Sequence, residues 1–114
     1  MIKLNFNDRK YYLCFDKNAK KNLDIYLAAS NGILTKITAD EDNLKYNEIA
    51  VINNGELQGV EDSLIKAGVI GKFPKRKINY GYTNFNVYSL ISRALKEANI
   101  QMILESNSKK KAVI

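Results

Sequence analysis

A chain of 114 residues with 46% hydrophobic and 26% charged side chains has enough apolar surface for one core, and reads as a single domain over 1–105 with a polar basic tail over 106–114. It has no histidine and no tryptophan, and Cys14 is its one cysteine, which excludes an internal disulfide, a Cys/His zinc site and any catalytic device built on histidine. The formal charge of +6 is uneven: residues 1–38 carry +4, 39–71 carry −5 and 72–114 carry +7, so the C-terminal part is the one suited to phosphates.

In chain order, Ile2, Leu4 and Phe6 alternate with polar residues, as do Tyr11, Leu13 and Phe15, with a turn over 7–10. That pattern predicts a β-hairpin with one face on a core. Cys14 has the opposite parity and belongs either to the outer face or under another layer. Residues 23–30 fit either a helix, through Ala19, Leu23, Tyr26 and Leu27, or a strand. Asn31 and Gly32 follow, a pair suited to the positive φ angles of a type I′ turn, and then the β-branched run 33–38. The pair favours strand, turn, strand. An acidic loop over 39–43 and a short apolar strand over 48–52 come next.

Val60, Leu64 and Ala67 share one helical face, Glu61 and Asp62 occupy the first turn, and Gly68 can end the helix, so a short helix is expected at about 60–67. Phe73 and Pro74 break the chain, and 75–82 reads as a strand. Val87, Leu90, Ile91, Ala94, Leu95 and Ala98 follow helical spacing, which predicts a longer helix at about 86–98, capped by Asn86 or Thr83. Residues 101–104 are expected to return as a strand. The result is an α+β fold, its mainly antiparallel sheet drawn from the N-terminal half. No apolar stretch approaches the ~20 residues of a membrane span, and the N-terminus lacks a signal-peptide core. A cytoplasmic protein is expected.

Catalytic signatures are sparse. Ser63 and Lys66 match a Ser-x-x-Lys pattern, but its companion motifs are missing and the chain is too short for that enzyme fold. Asp40, Glu41 and Asp42 lead into Leu44 and Lys45 where a calcium loop needs an oxygen ligand and glycine. The glycines have no phosphate-loop spacing. No catalytic residue, metal or cofactor is singled out, and binding without catalysis is expected.

The segment 72–86 combines chemistry suited to nucleotides. Lys72, Lys75, Arg76 and Lys77 precede Tyr80, Tyr82 and Phe85, with Asn79, Asn84 and Asn86 interleaved. Cations hold phosphates, aromatic faces stack on bases, and amides read base edges. The candidate ligand-binding residues are Lys75, Arg76, Tyr82, Asn84, Phe85 and Asn86. The competing reading makes the aromatics sheet cover and the lysines solvated. Small size, a Lys/Asn/Ile-rich composition and this segment resemble phage-encoded accessory proteins. Among these the chain is similar to anti-defence sponges of the Thoeris type. The resemblance implies a homo-oligomer that sequesters a cyclic nucleotide signal and counters host defence. Two alternatives stand beside it: a single-stranded nucleic-acid binder using the same segment, and an inhibitor that docks on a host enzyme through the acidic stretch 39–62.

Overall fold

The alternating residues around Leu4 form β1 (Lys3–Phe6) and those around Leu13 form β2 (Arg9–Lys17). These and all later elements belong to a computed structural model that describes residues 1–18, 20–81 and 83–113, apart from the side chains of Tyr80 and 103–113. Phe6 lies opposite Arg9, so the connecting turn is Asn7 and Asp8 alone. Both are left-handed, at φ 51° and 61°. This is the type I′ requirement met without glycine, by the two residue types that tolerate that region best.

β3 (Leu23–Ala28) pairs with β2 so that Leu27 faces Leu13 and Ile25 faces Phe15. Leu23, Ile25 and Leu27 are all buried, a period of two, which settles this segment as a strand. The turn that follows differs from the type I′ expectation. Ala29 N–H donates to the Ile33 carbonyl at 3.0 Å, leaving a three-residue loop in which Gly32 alone is left-handed, at φ 86°. Asn31 serves instead through its side chain, whose Oδ1 accepts from Ile33 N–H at 3.1 Å.

The chain then changes sheets. β4 (Leu34–Lys36) is the last strand of the first sheet, ordered β1-β2-β3-β4, and β5 (Thr38–Ala39) begins the second. Ile37, fully buried between them, donates its N–H to Ile25 in the first sheet, and its carbonyl accepts from Ile52 beyond the second, both at 2.9 Å. Where the bend withdraws a ladder acceptor, the Thr38 hydroxyl accepts from Ile25 N–H at 3.2 Å and donates to Asp24 at 3.1 Å. Lys36 reaches both Asp24, at 3.6 Å, and Asp40, at 2.8 Å, on the outer side of this corner.

The second sheet is antiparallel in the order β5-β6-β8-β7, with β6 at Glu48–Val51, β7 at Arg76–Tyr80 and β8 at Thr83–Ser89. The chain is therefore mixed α+β and mostly strand, but its strands are not confined to the N-terminal half. The C-terminal helix, α2, is Ser92–Val113 rather than 86–98. Val87 lies in mid-sheet between Ala50 and Arg76, and Leu90 forms a bridge with Ile70. β8 sits between two partners and its Phe85, Val87 and Tyr88 are strand formers, so cross-strand bonding overrides a helical spacing that begins at Val87, five residues before α2 does. Thr83 and Asn86, expected as helix caps, are strand residues. Residues 101–104 continue α2 instead of forming a strand, and helical backbone extends to Val113 through the stretch expected as a tail. Among the described residues no helix is long and apolar enough to cross a membrane.

The core lies between the sheets, with Leu4, Leu13, Ile25 and Leu27 meeting Ile49, Val51 and Tyr88. The short helix α1 (Val60–Lys66) contributes Val60 and Leu64, and α2 contributes Ala94 and Ala98. Beyond Leu13, β1 no longer covers β2, and a helix side chain takes its place. The Gln101 amide accepts from Phe15 N–H at 3.0 Å and donates to the Leu13 carbonyl at 3.2 Å, as a neighbouring strand would. Removing it orphans two backbone groups beside the core. Gln101→Ala should cost about 1–3 kcal/mol in denaturant unfolding and speed hydrogen exchange at the Phe15 amide.

Candidate functional site

β7 and β8 form the hairpin that carries the basic and aromatic segment. Its register sets Arg76 against Val87, Lys77 against Asn86, Ile78 against Phe85 and Asn79 against Asn84. Cross-strand partners share a face, so the described candidate residues do not all converge. Arg76 and Phe85 lie on the same face as Ala50 and Val87, which are buried. Lys77, Asn79, Asn84 and Asn86 lie on the face that carries Ile49, Val51 and Tyr88 into the core. Lys75 immediately precedes the strand, where its N–H donates to the Val87 carbonyl at 2.7 Å. Tyr82 lies outside the described residues.

Arg76 is occupied within the protein. Its two terminal nitrogens reach the two Glu48 oxygens at 3.0 and 3.1 Å, and one also donates to the Asn43 carbonyl at 2.8 Å. Glu48 is 4% exposed and also accepts from Lys45 N–H at 3.0 Å. Burial by itself would raise the Glu48 pKa, but the Arg76 guanidinium and the Lys45 amide hold it below the ordinary carboxylate value. A fork of this kind fixes the loop over 43–47 to the start of β7.

Asn86 is also engaged. Its Nδ2 lies 3.2 Å from both Glu61 oxygens, and the Tyr88 hydroxyl donates to Glu61 Oε2 at 2.7 Å. This network ties α1 to β8. Burial, and then the Glu61 carboxylate, push the Tyr88 phenol up to about 12.

The groups left to solvent are Lys72, Lys75, Lys77, Asn79 and Asn84, all exposed, with Phe73 at 83% exposure. Among the described residues no carboxylate pairs with these three lysines. Elsewhere some cations are paired: Lys20 with Asp42 at 2.6 Å and Lys36 with Asp40. Within the acidic stretch 39–62, Asp40, Asp42 and Glu48 hold cations, and Glu61 accepts from the neutral groups of Asn86 and Tyr88. The hairpin gathers three of the exposed cations within six residues, on an open strand surface rather than in a closed cleft.

The roles of Glu48, Glu61 and Tyr88 were not apparent from sequence. A carboxylate at the head of an apolar strand was the available signal for Glu48, because such a group demands a cation. Nothing in the pattern named Arg76 as that cation. Compared with family models, curated proteins and solved structures, the chain matches none.

Arg76→Ala should destabilise by about 3 kcal/mol, because it leaves the Glu48 carboxylate buried and unpaired. The deficit should shrink as pH falls from 7 toward 4 in denaturant titrations, since protonating Glu48 removes the stranded charge. In the parent the sign is opposite: a lowered carboxylate pKa stabilises above the unfolded value, and that contribution is lost as pH falls through the folded value. Tyr88 behaves conversely, with its raised pKa favouring the fold at neutral pH and that benefit lost as pH climbs from about 10 to about 12. Tyr88→Phe should flatten this alkaline decline relative to the parent in thermal melts.

Proposed function

We propose that the chain is a non-catalytic binding protein for a phosphate-bearing nucleotide, held on the exposed part of the β7–β8 hairpin. The observation that carries this reading is the set of exposed cations Lys72, Lys75 and Lys77, unpaired among the described residues, beside exposed Asn79 and Asn84. Lysines offer point charges to phosphates, and asparagine amides discriminate between bases by donor and acceptor pattern. Phe85, half-buried against the Ile78 position, and Arg76 take structural parts in this reading. A single open sheet face encloses little of a nucleotide, so a second copy of the chain is proposed to complete the site. Sequestration of a signal nucleotide then follows from binding without turnover, as the resemblance to anti-defence sponges implies.

A second reading is favoured by one feature. β7 is an edge strand with Lys75 and Lys77 two residues apart, an arrangement that can follow successive phosphates of a single strand. Affinity that grows with strand length and falls steeply with salt identifies it.

Lys75→Glu with Lys77→Glu should weaken binding of cyclic and linear nucleotides at least tenfold in low-salt calorimetry, while the melting temperature stays unchanged because neither lysine has an ion pair to lose among the described residues. Asn84→Ala should alter the order of preference among bases. Unchanged affinity in the double variant removes the hairpin as the site.

A further inference from the structure

A different part of the fold shows polar groups where the strand period calls for apolar ones. On β2 the inward face is set by Phe15 and Leu13, and the same parity then gives Tyr11 and Arg9, whose partners Leu4 and Phe6 point into the core. Thr35 is placed inward in the same way by its pairing with Leu27. An arginine, a tyrosine and a threonine therefore face the space between the sheets at the end where it opens.

That opening is a hollow of about 350 Å³, floored by Phe6 and Leu27 and bounded by Arg9, Tyr11 and Thr35 on one side. The opposite wall is the single 3-10 turn Gly55–Leu57, which presents Glu56 and Leu57. The wall is held in place. Asn53 Oδ1 accepts from Gly59 N–H at 3.0 Å, and Gly59, left-handed at φ 91°, packs next to Phe6 at ordinary contact distance. The size falls at the lower end of small-molecule pockets, and the placement at the open end of a two-sheet core is a usual one for them. Among the described residues, Arg9 has no carboxylate within salt-bridge distance, and neither Arg9 nor Glu56 has a hydrogen-bond partner.

The geometry points to a binding site for a small organic anion. The anionic head, carboxylate or phosphate, sits on the Arg9 guanidinium, which can engage it through two parallel bonds. A flat apolar body lies over Phe6, Leu27 and Leu57 beside the Tyr11 ring. A hydrogen-bond donor at the far end of the ligand meets Glu56, and Thr35 supplies a hydroxyl at the side. An anion lacking the apolar body leaves the floor wet, and an uncharged ring leaves Arg9 unpaired. The site therefore selects for both features together. It shares no residue with the β7–β8 hairpin and does not rest on the nucleotide reading.

The test uses the full chain, labelled with ¹⁵N, and three probes: 4-aminobenzoate, benzoate and inorganic phosphate. Amide shifts on titration should centre on residues around Arg9, Tyr11, Thr35 and Leu57, with affinity in the order 4-aminobenzoate, benzoate, phosphate. Arg9→Met should weaken 4-aminobenzoate at least tenfold. Glu56→Gln should narrow the gap between 4-aminobenzoate and benzoate, with benzoate binding no weaker than in the parent. Both side chains are unpaired, so both variants should melt as the parent does, and Lys75→Glu with Lys77→Glu should leave these titrations unaltered. Phosphate binding as tightly as 4-aminobenzoate, shifts absent or scattered over the surface, or an Arg9→Met variant with parent affinity would each overturn the assignment.

Discussion

Everything in this fold depends on one bend. Ile37 gives its amide to the first sheet and its carbonyl to the amide of Ile52, at the exit of the second, so one residue sets the angle at which the two sheets face each other. A strand that passes from one sheet to another must give up ladder bonds at the corner, and buried backbone groups cannot be left unmet. The Thr38 hydroxyl resolves this for Ile25, and Asp24 anchors the hydroxyl in turn. Asp24 is itself nearly buried and is balanced by Lys36, whose own pKa is raised, chiefly by its hydrogen bond to Asp40. Polar residues around an apolar pivot thus hold the angle that defines the core.

The two helices complete what the sheets leave open. α1 is too short to be stable by itself, and it is fastened by Val60 and Leu64 below and by the Glu61 bonds to Asn86 and Tyr88 at the side. α2 docks through its small residues, which let the helix approach closely, and Gln101 extends the hydrogen bonding of β2 where β1 has ended. The N-terminal ammonium reaches Glu97 on the same helix at 3.2 Å, so the first and last elements meet. Its exposure makes that pair a minor contribution beside the packing.

Internal charge pairing also decides which side chains remain for partners. Arg76 and Asn86 look like ligand groups in isolation, and the fold uses them to neutralise Glu48 and to secure Glu61. What they leave is a strip of lysines and asparagines on one hairpin face. At the other location, the mouth of the core, polar residues occupy inward positions with no internal partner. The two differ in character. The hairpin is an open, cationic surface suited to phosphates, and the mouth is a small concave space with one guanidinium and an apolar floor.

The elements whose evidence is local were legible in the amino-acid sequence. The β1–β2 hairpin, the short helix and the α+β class follow from periodicity and turn residues, because burial on one face imposes a period that neighbouring residues record, whereas residues 23–30 fit helix and strand alike and the pairing with β2 decides for strand. The start of α2 was not legible. Residues 87–91 satisfy helical and strand spacing alike, and only the placement of β8 between β6 and β7 chooses between them. The type I′ turn occurred at Asn7 and Asp8 rather than Asn31 and Gly32, since loop length is set by strand register and not by the pair itself. The candidate site was legible as a segment but not as a surface. Sequence placed Lys75 through Asn86 together, whereas alternation along paired strands sends Arg76 and Phe85 to one face and Asn84 and Asn86 to the other. Composition alone determined that this protein has no histidine, disulfide or Cys/His metal chemistry. Which of its charges are spent inside the fold was decided by tertiary structure, because the partner of a buried charge, such as Arg76 for Glu48, lies 28 residues away along the chain and only folding brings the two together.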